Sequence, residues 1–203
     1  MKWGGYMYEF WKQRVDEHLE VINTLVDNQA LFTKIEEAGE IIIDALKNGK
    51  KLLLCGNGGS AADSQHIATE LVSKFLMERE ALDAEALTVN TSTITAVGND
   101  VDFSKVFSRQ IEAKGKTGDV LIAISTSGNS VNITEALKSA RKLGMKTIGF
   151  TGNNEKSPIY TNVDCCIGIP SVSTPRIQEA HIMIGHILCE LIENRIFGGQ
   201  IVD

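Results

Sequence analysis

The chain has 203 residues, 43% of them hydrophobic and 23% charged, with a formal net charge of −6. That length suits one domain with a substantial core, and the balance is ordinary for a globular protein. The acidic excess gives no general attraction for nucleic acid, so an anionic substrate needs a local site rather than a global field.

The start, MKWGGYMYEFW, holds one Lys and no long apolar run, which is not the pattern of a signal peptide. No stretch reads as a membrane span. The four cysteines, Cys55, Cys165, Cys166 and Cys189, form no C-x-x-C pair. They read as buried free thiols of a reducing compartment. The expectation is a cytoplasmic protein with neither a membrane nor a nucleic-acid partner.

Taken in chain order, Phe10, Leu19, Ile22, Leu25 and Val26 recur at helical spacing, which predicts a helix over 8–30. A second helix is predicted over 31–46, ended by Asn48-Gly49. An alternation follows. Strands are predicted at 51–55, 84–90, 120–125, 146–151 and 164–168, with helices at 61–75, 91–97, 130–143 and 174–195. A shorter helical piece covers 103–110, and 152–163 reads as a polar loop. Short apolar strands alternating with helices predict an α/β fold whose parallel sheet is covered on both faces. The first helix carries apolar residues, Trp11, Leu19 and Val26, that need covering by this domain or by another subunit.

Open parallel sheets bind ligands beyond the carboxyl ends of their strands. Two polar loops fall there. Gly56-Asn57-Gly58-Gly59-Ser60 follows the first strand, and Ser125-Thr126-Ser127-Gly128-Asn129-Ser130 follows the third. Glycines bring backbone N–H groups to a ligand, hydroxyls add donors, and each following helix adds its positive end. The glycine loop lacks the Gly-Lys-Ser/Thr of a Walker loop, and Ala61 stands where a dinucleotide fingerprint has its third glycine. A phosphate is the ligand that suits both loops. Simple turn chemistry, with Ser130 as an N-cap, is the alternative.

His66 and Glu70 are four residues apart on one helix face, a spacing for a divalent metal, an acid–base pair or a surface pair. The last helix holds Gln178, Glu179, His181, His186 and Glu190 among apolar residues. Glu179, His186 and Glu190 lie closest in direction. Gln178 sits about 80° from His186, so periodicity does not choose Gln178 over Glu179. His181 reads as a structural histidine. Asn99 and Asp100, after Gly98, read as a turn. A phosphate clamp with a carboxylate and a histidine suits proton abstraction beside a sugar carbonyl.

Four segments carry a resemblance: GNGGSAADSQHIATEL, TSTITAVGNDVDFSKVFSRQIEA, ISTSGNSVNITEALKSARKLGMKTIGFTG and TPRIQEAHIMIGHILCELIE. Together they resemble the phosphoheptose isomerases of the SIS (sugar isomerase) superfamily, over almost the whole chain. The resemblance implies a three-layer SIS domain spanning 1–203, with a five-stranded parallel flavodoxin-like sheet flanked by helices. It implies that residues 1–48 form N-terminal helices that contribute to oligomer packing, in a homotetramer with active sites at subunit interfaces. It implies aldose–ketose isomerisation of a heptose 7-phosphate, the first step towards ADP- or GDP-heptose for lipopolysaccharide or surface glycans.

By the same match, Asn57, Gly58, Gly59, Asn99, Asp100, Ser125, Thr126, Ser127 and Ser130 contact substrate. His66, Glu70, Gln178 and His186 form a site for one Zn2+ per subunit. Glu70 and His186 carry the catalysis, and Glu70 and Gln178 also meet substrate. Lys74, Val101 and Pro175 depart from the commonest family pattern. The competing expectations are a non-enzymatic SIS-fold protein that binds the bacterial replication initiator, or another phosphosugar isomerase.

Overall fold

The computed structural model describes residues 3–198. Two helices, α1 (Trp3–Val26) and α2 (Gln29–Lys47), precede the sheet. Asn28 starts α2, its side-chain oxygen accepting from the Leu31 N–H at 3.0 Å, so the boundary falls earlier than the apolar spacing predicts. Then follow β1 (Leu52–Gly56), α3 (Gly59–Val72), β2 (Ala84–Ala86), α4 (Thr91–Asp100), a 3-10 turn (Phe103–Lys105) and α5 (Ser108–Lys114). The chain continues through β3 (Val120–Ile124), α6 (Val131–Lys142), β4 (Lys146–Thr151), α7 (Pro158–Thr161), β5 (Cys165–Gly168) and α8 (Thr174–Phe197). The five strands are parallel, in the order β2-β1-β3-β4-β5.

Alternation along the strands explains why both faces are covered. Leu52 and Leu54 of β1, with Val120, Ile122 and Ile124 of β3, pack beneath α2, α3 and α8. Leu53, Cys55, Leu121 and Ala123 point the other way, onto Ile111 of α5 and Ile133, Ala136 and Leu137 of α6. All five residues of β1 and of β3 are buried. The layers are helix, sheet and helix, as predicted.

Three local predictions need correction. β2 ends at Ala86 rather than at 90, because Asn90 leaves the sheet to cap α4, accepting from the Thr93 N–H at 3.0 Å. α4 runs on through Gly98, so Asn99 and Asp100 lie in its last turn and not in a loop. The predicted loop 152–163 contains the single turn α7, started by Ser157 and Pro158, a common N-terminal pair.

α1 reaches the core through Val21 and Leu25 and is tied to α8 by polar contacts. The Arg176 Nη1 donates to the Arg14 carbonyl at 2.6 Å, and His18 Nδ1 meets Glu179 Oε2 at 2.7 Å. Much of its apolar surface stays open: Tyr6, Tyr8, Phe10, Trp11, Leu19 and Val26 are exposed.

Candidate active site

α3 and α8 lie side by side and run in the same direction. Gly59 touches Gln178 at their N-terminal ends, His66 meets His186 further along, and Glu193 reaches Phe75 at the far end. This seam carries Gly59, His66, Glu70, Gln178 and His186. Its N-terminal end opens where β1 and β3 stop.

A cavity of about 300 Å³ lies at that end, lined by the glycine turn, the Ser125–Ser130 loop, Thr174 and Gln178. Gly58 sits at φ +55°, where a side chain would be strained. Gly59 approaches Gln178 so closely that a Cβ there would collide with the amide. The Ser125 and Ser130 hydroxyls share a hydrogen bond at 2.9 Å. Ser130 precedes α6 but makes no side-chain cap bond, so the turn-chemistry alternative lacks its central contact. α3 likewise has no side-chain cap. Two helix N-termini and several hydroxyls therefore converge on one space, the chemistry of a phosphate cradle without cationic side chains.

Asn57 and the buried Asn132 exchange amide hydrogen bonds at 2.9 and 2.8 Å, locking the glycine turn to the start of α6. Sequence reasoning missed Asn132. Its only signal was a polar residue on the face of α6 that otherwise packs inward.

Further along the seam, His66, Glu70 and His186 offer one ligand atom each within 4.8 Å of one another. The two Nε2 atoms of His66 and His186 lie 2.8 Å apart, one ring donating to the other, and His66 Nε2 is 3.3 Å from Glu70 Oε1. Two imidazole nitrogens and a carboxylate oxygen are a donor set that fits zinc, with a coordination position left over. Phe75 stacks on the His186 ring, centroids 5.6 Å apart and planes 18° from parallel.

Gln178 is not in this trio. It lies eight residues before His186, about 12 Å of helix rise, and lines the phosphate-type cavity instead. Glu179, its rival on periodicity, points away from both places. Its carboxylate receives Arg176 Nη2 at 2.6 Å and the His18 ring, so it fastens α1 to α8. His181 is fully buried, bonds the Thr151 carbonyl through Nε2 at 3.1 Å, and is pushed down to about 4 by burial. It is structural, as expected. Asn99 and Asp100 are exposed at the end of α4, the Asn99 amide donating to Asp100 at 2.7 Å, and neither lines the cavity. Asp63, one turn before His66, has a buried carboxylate oxygen without a partner; burial pushes its carboxyl up, with His66 opposing.

Comparison with known proteins gives the same picture. The SIS domain family matches residues 15–152. A phosphoheptose isomerase of Clostridium acetobutylicum is 51% identical over 96% of this chain and 99% of its own length. That of Geotalea daltonii is 50% identical over 95% of this chain and 98% of its own. Among solved structures, the phosphoheptose isomerase of Neisseria gonorrhoeae superposes with a TM-score of 0.86 at 38% identity, covering 93% of this chain and 99% of that one. The Francisella tularensis enzyme gives a TM-score of 0.83 at 36% identity, covering 96% and 100%.

Proposed function

The chain belongs to the phosphoheptose isomerases of the SIS-domain family, and on that premise we propose how its residues interconvert D-sedoheptulose 7-phosphate and D-glycero-D-manno-heptose 7-phosphate. It is an aldose–ketose isomerase serving heptose synthesis for lipopolysaccharide or surface glycans. One observation carries the reading of the site. The phosphate-type cavity and the histidine–carboxylate cluster lie on one seam, with about 10 Å of helix rise between Gly59 and His66. An open-chain sugar phosphate spans such an interval, with its phosphate at one end and its carbonyl at the other.

The Ser125–Ser130 loop, with Gly58, Gly59 and Asn57, holds the phosphate. Binding energy gathered there positions C1 and C2 at the cluster. Glu70 takes the proton from C1 of the ketose and returns it at C2. His186 moves a proton between the carbonyl and hydroxyl oxygens, and the intermediate is a cis-enediol. Gln178, beside the cavity, orients the sugar chain.

His66, Glu70 and His186 would hold one Zn2+ per subunit; Gln178, about 12 Å of helix rise from His186 on the same chain, would join them only from another subunit. A bound zinc ion supplies electrophilic stabilisation of developing oxygen charge. The three donors fit the ion without Gln178.

Residues 1–203 act as one SIS domain, of which 1–2 and 199–203 lie outside the described residues. Residues 1–48 contribute to packing in a homotetramer. The exposed Tyr6, Phe10, Trp11 and Val26 support this, as large apolar side chains on one helix that another subunit would cover. Asn99 and Asp100, open at the end of α4, join a substrate site completed across a subunit boundary. No described helix is long and apolar enough to cross a membrane. A cytoplasmic location is part of the same proposal.

The test is turnover. The purified protein, stripped of metal and then supplied with zinc, is incubated with sedoheptulose 7-phosphate while aldoheptose 7-phosphate is followed by NMR. Product is expected, and the difference between the two samples measures the contribution of the metal. A folded protein giving no product in either sample would overturn the reading.

A further inference from the structure

Beyond the cluster, the seam ends in a buried ion pair that the isomerisation chemistry does not use. Arg79 and Glu193 are each only 1% exposed in their side chains, with Arg79 Nε donating to Glu193 Oε1 at 2.8 Å. The Glu193 carboxylate also accepts from the backbone N–H groups of Phe75, Leu76 and Met77, at 2.8, 2.8 and 3.1 Å. Arg79 spends its remaining donors on carbonyls. Nη2 reaches that of Glu70 at 2.7 Å, and Nη1 those of Leu71 and Glu80 at 2.7 and 3.0 Å. Burial alone would push the Glu193 carboxyl up, but the backbone N–H groups and Arg79 outweigh it and hold it below the usual range.

A pair like this is a poor way to gain stability. Apolar residues of similar volume commonly do as well, because two charges must leave water. What the pair does supply is geometry. Glu193 lies seven residues after His186, so both project from one face of α8 towards α3. Arg79 holds carbonyls at the C-terminal end of α3, where helices leave such groups without partners, and one of them belongs to Glu70. Glu193 fixes the three residues that begin with Phe75, whose ring lies against the His186 imidazole. Each catalytic side chain is therefore one contact away from the pair.

We propose that Arg79 and Glu193 are positioning residues for the isomerase site, fixing Phe75 as a platform that orients the His186 ring and anchoring the turn that carries Glu70. The inference rests on the roles given above to Glu70 and His186. Loss of the platform leaves the phosphate cradle untouched, because the cradle lies at the other end of the seam.

Phe75→Leu removes the ring and keeps the ion pair. The expected result is a fall in kcat of roughly tenfold or more, as a misplaced catalytic group costs, with KM little changed and Phe75→Tyr restoring the rate. A second readout is NMR of metal-free protein with labelled imidazoles. The ring-current shift of the His186 protons should disappear in Phe75→Leu and also in Glu193→Gln. Wild-type kcat in Phe75→Leu, a loss that Phe75→Tyr does not restore, or a folded Glu193→Gln protein that keeps the His186 shift would each overturn the proposal. Should Glu193→Gln fail to fold, the Phe75 variants decide alone. If the wild-type protein does not turn over the sugar, the functional reading fails, while the His186 shift still decides the positioning claim.

Discussion

The two ends of the α3–α8 seam solve different problems with different materials. The N-terminal end is made of backbone turns, helix starts and neutral hydroxyls around an open cavity. The middle and far end are made of ionisable side chains, first the His66–Glu70–His186 cluster and then the sealed Arg79–Glu193 pair. Neutral donors suit a dianion that must bind and leave. Titratable groups suit proton transfer, and they need neighbours that hold them still. On the proposed reading, the contrast makes binding and chemistry separable along one pair of helices.

The strongest way to break that division is at Glu70. Glu70→Gln keeps the size and loses the base, so turnover is expected to fall by about a thousandfold, within the usual range for a lost general base. KM should stay near that of the wild type. Steady-state kinetics check both numbers, and retained turnover removes Glu70 from the role.

A smaller effect separates the two histidines of α8. His181 and His186 are five residues apart, hence about 140° apart around the helix. One is sealed against Phe150 and Thr151, the other faces the cluster. Burial lowers His181 in the folded state to about 4 from an ordinary 6.5. The unfolded chain therefore binds more protons between these values. The stability due to a neutral buried His181 is whole above about pH 6.5 and is lost as pH falls towards 4, at most about 3 kcal/mol. Thermal midpoints across that window should fall with acid in the wild type and fall less in His181→Gln. An equal slope in both proteins would place the acid sensitivity elsewhere.

The smallest expected effect lies at the binding end. Ser130→Ala removes one hydroxyl from the cavity, worth about 1.5 kcal/mol towards a charged ligand, or roughly tenfold in KM. kcat should hold. A kcat loss without a KM change would mean that the loop does more than bind.

Much of this was legible before any coordinates. The alternation of apolar strands with helices announced the sheet and its two covered faces, because period-two burial leaves a direct mark in β1 and β3. The two loops were legible because their glycine and serine clusters follow strands at the edge where open parallel sheets bind ligands. What the pattern could not supply was distance between elements. Helical periodicity on α8 alone favoured Glu179, and only the neighbouring α1 shows why that carboxylate is turned away, towards His18 and Arg176. The meeting of His66 with His186 joins residues 120 apart in sequence, and nothing local in either helix encodes it. Asn90 marks the opposite limit: it looked like strand, and its capping bond to α4 decides otherwise.

The division of labour is tested most directly by titrating the Glu70→Gln protein with sedoheptulose 7-phosphate in a calorimeter, beside a turnover assay on the same sample. The expected result is binding close to the wild-type KM with turnover almost gone. Loss of binding together with turnover, or turnover that survives, would contradict it.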